Sequence, residues 1–364
     1  MTGIMYEKQA KLIVEYSVGV KKDEMVLIQG PAVAEPLLKE IYKQALLAGG
    51  HPTLLVGLED LAPLYFRHAQ DHQLEHQSPI RKYVIETIDC DINIIGDYNT
   101  RDLTSVPPEK LSRRAVANKE LWQIHSNRAA TGELRWNLSP FATSGGAQEA
   151  SMSRLEFEEL IKETLLLDRE DPIAEWKTIA AKQQMWVEYL NKAKEIHIVG
   201  EDIDLKMSVA GRQWENCNGK KNLPDGEIFS APTDDSTNGE IRFKFPGIYY
   251  GKEIEDIRLK FEKGRVTDAK ALKGQELLQT IIKTDPGAER LGEIGIGTNP
   301  GVTKLTKNIL FDEKMGGTIH LALGMAYKEI GGTNESSIHF DILAQPDEMY
   351  ADGELFWKKG EFTI

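Results

Sequence analysis

The hydrophobic pattern of this chain changes period part way along, and that change restricts the fold more than any other feature. Up to about residue 190, strand-type apolar runs alternate with helix-type segments. Beyond it, short runs of period two are joined by short turns. In the first part, Leu12, Ile13 and Tyr16 share one side of a helix over 5–20, and MVLIQG at 25–30 follows as a strand. A helix over 35–48 ends at Gly49-Gly50, where glycine can take a left-handed cap, and a strand follows at 51–57. Helices are expected within 59–88, a strand from about residue 90, and one more short strand in LWQIHS near 121. The polar, glycine-containing stretch 137–150 reads as a mobile loop or connection, and helix formers fill 151–190. Strands alternating with helices imply a parallel sheet covered on both faces. The expected N-terminal domain, 1–190, is therefore α/β with a Rossmann-like parallel sheet.

The second part reads differently. Runs such as EIRFKFPGIYYG and IRLKFEKGRVTDAKA, with turns as short as Glu262-Lys263-Gly264, predict antiparallel hairpins. A helix over 274–284 and the apolar segments GEIGIG, TIHLALG and SIHFDIL follow. The expected C-terminal domain, 191–364, is α+β, with an antiparallel or partly barrel-like sheet. No repeat of 20 to 50 residues is visible.

Composition removes several classes of function. A net charge of -13 gives no long-range attraction to phosphate backbones or anionic membranes, so neither nucleic acid nor membrane is an expected partner. Two cysteines, Cys90 and Cys217, make neither a disulfide framework nor a cysteine zinc site, which fits a reducing cytoplasm. The N-terminus has no basic stretch leading into an apolar run, and no segment approaches the length of a membrane span. The dinucleotide fingerprint is absent too: Gly30-Pro31-Ala32-Val33-Ala34 follows the first strand, and Pro300 interrupts the nearest imitation at Gly295-Ile-Gly297. His68, His72 and His76 would stack on one helix face, yet their surroundings are polar throughout and read as a solvated surface. His51, His125 and His197 lie at strand edges and are expected to be packed or capped.

Ionisable residues set inside apolar, glycine-flanked segments carry the chemistry. Glu227 lies in PDGEIF, Glu293 in LGEIGIG, His320 in GTIHLALG, and His339 with Asp341 in SIHFDIL. Such groups lose hydration on burial unless they are paired or meet a cation. Lysine and arginine are scarce in these segments, so a divalent metal is the expected partner. The His339-x-Asp341 spacing puts both side chains on one face of a strand. Glutamate, aspartate and histidine without cysteine suit zinc, cobalt or manganese in an open site. The donors exceed the need of one ion, and two ions about 3.5 to 4 Å apart would use them all in metal-assisted hydrolysis. Each residue also has an ordinary reading. Glu227 could cap a turn, Glu293 could pair with Arg290, and His320 could be a satisfied core histidine.

Four ordered segments, GRQWENCNGKKNLPDGEIFSAP (211–232), GEIGIGTNPG (292–301), DEKMGGTIHLALGMAY (312–327) and SIHFDI (337–342), resemble the dinuclear metalloaminopeptidases of the aminopeptidase T, aminopeptidase S and PepS type. KKDEMVLIQG (21–30) and LLAGGHP (46–52) extend the likeness into the first domain. The resemblance implies that Glu227, Glu293, Glu313, His320, His339 and Asp341 ligate two divalent ions. Glu313 enters only through this likeness, because its own surroundings read as a surface turn, and it aligns across a small gap. The likeness also implies that Glu293 bridges the ions and accepts a proton from the attacking water, and that Tyr327 is an active-site tyrosine. It implies a homodimer acting on peptides with a free N-terminus. Another dinuclear amidohydrolase or dipeptidase, or a non-catalytic metal-stabilised binding protein, are the competing readings.

Overall fold

The structure is a computed structural model that describes residues 3–96 and 98–364. The chain divides into two compact units, residues 1–173 with 219–224, and residues 174–218 with 225–364. The helix Pro172–Leu190 therefore clusters mainly with the second unit, seventeen residues earlier than the expected boundary, because its Trp186, Val187 and Leu190 are part of that unit's hydrophobic core.

The first unit is an α/β layer. Four parallel strands run in the order His51–Gly57, Met25–Pro31, Cys90–Ile95, Arg135–Pro140. Val26 and Ile28 are fully buried, as are Leu37 and Ile41 of the helix Glu35–Leu47. Gly30 permits that packing, since a Cβ there would press on Leu38 and Ile94. The helix ends as its sequence requires, with Gly49 at φ +87°. The N-terminal helix continues from Gly3–Lys11 into a wider turn over Leu12–Ser17, where the Val18 N–H donates to the Ile13 carbonyl at 3.0 Å.

Two elements differ from expectation. LWQIHS is not a strand; it lies inside the helix Pro108–Ala130, where three apolar residues interrupted by Gln123 and without turn residues on either side follow their flanks. The stretch 137–150 is not a loop: it holds most of the strand Arg135–Pro140 and the helix Ser144–Glu149, capped by the Thr143 hydroxyl. The sheet is also covered unevenly. The helices Leu61–His68 and Pro79–Thr87 bury no residue, and the outer strand His51–Gly57 exposes Leu54, Leu55 and Val56.

The second unit consists of antiparallel sheets, as its period predicts. Eight strands run in the order Arg265–Lys270, Ile257–Glu262, Asn238–Phe243, Ile203–Ser208, Glu195–Gly200, Glu348–Ala351, Glu354–Lys358, Glu361–Phe362. Five more run His339–Ala344, Ile319–Gly324, Leu291–Gly297, Glu227–Ser230, Glu215–Cys217. One hydrophobic core joins the two sheets, with Ile198, Leu205 and Phe243 from the larger and Ile294, Leu321 and Ile342 from the smaller. Among the described residues no helix is long and apolar enough to cross a membrane.

Candidate metal centre

Alternation along four neighbouring strands of the smaller sheet builds the site. Ile228, Ile294, Ile296, Leu321 and Ile342 turn into the core, so the residues between them emerge together on the opposite face. That face carries Glu227, Glu293, His320, His339 and Asp341. The register sets Glu293 beside Ala322, Ala322 beside Asp341, Gly295 beside His320 and Gly297 beside Glu227. A bulge between Leu291 and Glu293 re-aims the glutamate. Glycine at 295 is required: a Cβ there would overlap the imidazole of His320.

The side chains form a continuous polar chain. His320 Nε2 lies 3.0 Å from Glu293 Oε1 and 3.4 Å from Glu227 Oε2. His339 Nε2 lies 3.4 Å from both Glu293 Oε2 and Asp341 Oδ2. The Nδ1 of His339 sits 2.9 Å from the Met325 carbonyl and donates to it, which leaves Nε2 facing the carboxylates. Glu313 comes from the turn after the short helix Ile309–Asp312 and lies within ligand distance of His320 and Asp341. All six residues singled out from the sequence thus meet in one pocket.

Burial sets the electrostatics. Desolvation raises the pKa of Glu293, and it raises Glu313 to about 8 despite the nearby Lys314. Burial opposes protonation of the histidines, yet their carboxylate partners prevail: His320 is raised to about 9 through Glu293 and Glu227, and His339 to about 10 through Asp341 and Glu293. Asp341 is lowered against its own burial by His339. Tyr327 leaves the end of the strand Ile319–Gly324 and packs its ring against Phe229 at 5.7 Å and His339 at 5.3 Å. Its phenol is raised by desolvation and by the carboxylates of the pocket.

The donors fit a divalent cation. Glu227 Oε2, Glu293 Oε2 and Asp341 Oδ1 are buried with no hydrogen-bond partner. Apart from the imidazoles 3.4 Å from two of them, such oxygens have nothing to replace their lost hydration, and a bound cation would supply it. Oxygen and imidazole donors in this proportion suit a divalent cation.

Lysine and arginine are scarce in the segments that carry these donors, yet one lysine from another part of the chain does reach the carboxylates. Lys314 is wholly buried, and its ammonium donates to Glu227 Oε1 at 2.8 Å and to Glu313. It escaped notice because Phe311-Asp-Glu-Lys314 has the composition of a surface turn and no periodicity. The real cue is distant: Gly297 has no Cβ, which lets the backbone at 314–315 come against it, and Asn299 holds the Lys314 carbonyl at 3.0 Å. Arg290 does not pair with Glu293; its guanidinium donates to Asp235 at 2.7 Å.

The other histidines take no part in this pocket. His68 ends one helix, His72 lies in the separate helix Asp71–Leu74 and His76 follows it, so the three do not stack on a single face. His51, His125 and His197 each face one aspartate, Asp23, Asp91 and Asp204. Both cysteines are free thiols.

Comparison with known proteins agrees with this chemistry. The chain is 28% identical over 390 residues to aminopeptidase T of Thermus thermophilus, covering 95% of this chain and 94% of that protein. It is 28% identical over 389 residues to aminopeptidase 2 of Geobacillus stearothermophilus, covering 95% and 93%. Its fold matches the solved structure of wild-type AmpT from Thermus thermophilus with a TM-score of 0.85 at 25% identity, over 99% of each chain. The model of the thermophilic metalloproteases, M29, matches residues 4–362, and with nearly the whole chain inside that match, this protein belongs to the M29 family and is a metal-dependent peptidase.

Proposed function

We propose that this peptidase is an aminopeptidase that removes N-terminal residues from peptides, with Glu293 and Tyr327 as its catalytic residues. The observation that carries the reading is the set of partnerless buried oxygens on Glu227, Glu293 and Asp341 beside two histidines. The ligands are drawn from Glu227, Glu293, Glu313, His320, His339 and Asp341, and zinc, cobalt and manganese are the candidate ions. The resemblance implies two ions. Glu293, His320, His339 and Asp341 have no lysine attached, whereas Glu227 and Glu313 share Lys314.

When bound, a divalent ion would polarise the scissile carbonyl and make the attacking water more acidic. Glu293 lies between both histidines and can accept the proton of that water. Tyr327, on the rim and 39% exposed, offers a phenol O–H to the oxyanion of the tetrahedral intermediate. The surplus of carboxylates favours the cationic amine of a free N-terminus over a blocked one. Free thiols on Cys90 and Cys217 suit a reducing cytoplasm. The exposed leucines and valine of the strand His51–Gly57 support a homodimer.

The test compares leucine p-nitroanilide with its N-acetylated form, using chelated protein before and after addition of Zn²⁺, Co²⁺ or Mn²⁺. Metal-restored turnover of the free-amine substrate alone is expected, and Glu293→Gln should lower kcat by about 10²- to 10⁴-fold. Equal turnover of the acetylated substrate would replace the reading by a general amidohydrolase.

A further inference from the structure

The carboxylates of the pocket do not stand alike. Glu293 and Asp341 form ion pairs with the histidines, while Glu227 and Glu313 converge on a cation that belongs to the chain. Lys314 is 0% exposed, so its ammonium has no water to turn to. Burying an ammonium is tolerated only where carboxylates compensate it, and removing either partner leaves a charge unpaired.

Nor can the lysine withdraw easily. Its carbonyl accepts from the Asn299 N–H at 3.0 Å, the Gly316 N–H donates to the Asn299 carbonyl at 3.1 Å, and its own N–H donates to Phe311 at 3.1 Å. Asn299 is in turn held by its side-chain amide, which donates to the Asp225 carbonyl at 2.7 Å. Gly297 closes the arrangement from the other side, because a Cβ there would collide with the Met315 carbonyl. The side chain is thus anchored at the backbone and at the ammonium. A second divalent ion at Glu227 and Glu313 would have to take both carboxylates from this ammonium, or lie beside it as a like charge in a desolvated pocket.

Resting on the reading that the pocket binds a divalent cation, we propose that the Lys314 ammonium takes the place of a second ion, so that the chain holds one divalent ion, at Glu293, His320, His339 and Asp341. Glu227 and Glu313 then serve as positioning residues: they hold the ammonium, and Glu227 Oε2 lies 3.4 Å from the same His320 Nε2 that Glu293 meets at 3.0 Å. The reaction would proceed with one Lewis-acidic cation and one fixed protein charge.

The experiment is metal counting. Purified protein is stripped with chelator, dialysed against excess Zn²⁺ or Co²⁺, freed of unbound metal and measured by elemental mass spectrometry against protein concentration. Wild type should retain one ion per chain, Glu313→Gln should still retain one, and Lys314→Ala should gain a second. Two tightly held ions in wild type, or loss of the ion in Glu313→Gln, would overturn the assignment while leaving the peptidase reading standing. No ion in any form would overturn the metal reading and this one together. If Lys314→Ala does not yield folded protein by circular dichroism, the wild-type and Glu313→Gln counts decide the matter.

Discussion

Tyr327 and the two histidines show what individual residues are set to do. The phenol stands on the rim with its ring braced by Phe229 and His339, which orients the O–H without committing it to a buried partner. Tyr327→Phe keeps the ring packing and removes only the donor. Steady-state kinetics should show kcat falling by about 10²- to 10³-fold with KM little changed, the pattern of a contact made in the transition state. An unchanged kcat would remove the phenol from the chemistry. The histidines govern the pH response of the metal-free protein. Their folded pKa values, about 9 and about 10, lie above the ordinary 6.5, so their stabilisation is complete below about 6.5 and is lost as pH rises through 9 and 10. Glu313, raised to about 8, acts in the same direction. Ion binding requires those protons to leave and therefore tightens over the same range. Melting curves with and without chelator from pH 6 to 10 should diverge as pH rises, the metal-free curve falling. A metal-free midpoint that stayed level to pH 10 would contradict the sign.

Among the elements, the loop that delivers His339 depends on one carboxylate. Asp285 accepts from the Ser337 N–H at 2.8 Å, the Ser337 hydroxyl at 2.7 Å, the Ser336 hydroxyl at 2.8 Å and the Gly287 N–H at 3.0 Å. Those bonds, led by the Ser337 N–H, lower its pKa to about 2. Asp285→Ala should cost about 1 to 3 kcal/mol in denaturant unfolding and misplace the strand His339–Ala344, weakening ion retention as well. Stability loss with ion affinity intact would limit the loop to a structural part. The same elements mark how far the sequence could be read. Strands at 25–31, 51–57 and 90–95 were legible because their apolar runs are short and bounded by turn residues. Five of the six pocket residues were legible because a charged group inside a period-two apolar run stands out against its neighbours. Glu313 and Lys314 were not: they lie on a turn whose burial comes from residues 297–299, and a local pattern carries no record of a distant chain passing over it. LWQIHS was misread for the related reason that a short apolar run has no period of its own.

At the scale of the whole molecule, the first unit presents an exposed apolar stretch. Leu54, Leu55 and Val56 of the outer strand, with Leu58 and the helical Leu61 and Leu64 just after it, are each 38% exposed or more, and among the described residues no strand pairs with the outer edge of that strand. A sheet edge of this kind is ordinarily covered or charged. Leu55→Glu with Val56→Glu should convert a dimer to a monomer by sedimentation velocity, with each unit still folded. A wild type that sediments as a monomer would show that the strand is simply left bare. The face of the second unit that carries the candidate ligands has the opposite character, being crowded to the limit. A methyl at Gly292 would meet the carbonyls of Gly324 and Met325, at Gly295 the ring of His320, at Gly297 the Met315 carbonyl, and at Gly324 the Ile338 carbonyl. In a saturation-mutagenesis survey scored by growth or turnover, these four positions would therefore rank with the ligands as intolerant, although none has a side chain to contribute. Such a map would outline clearance as much as chemistry, and intolerance alone would overstate the number of reacting groups.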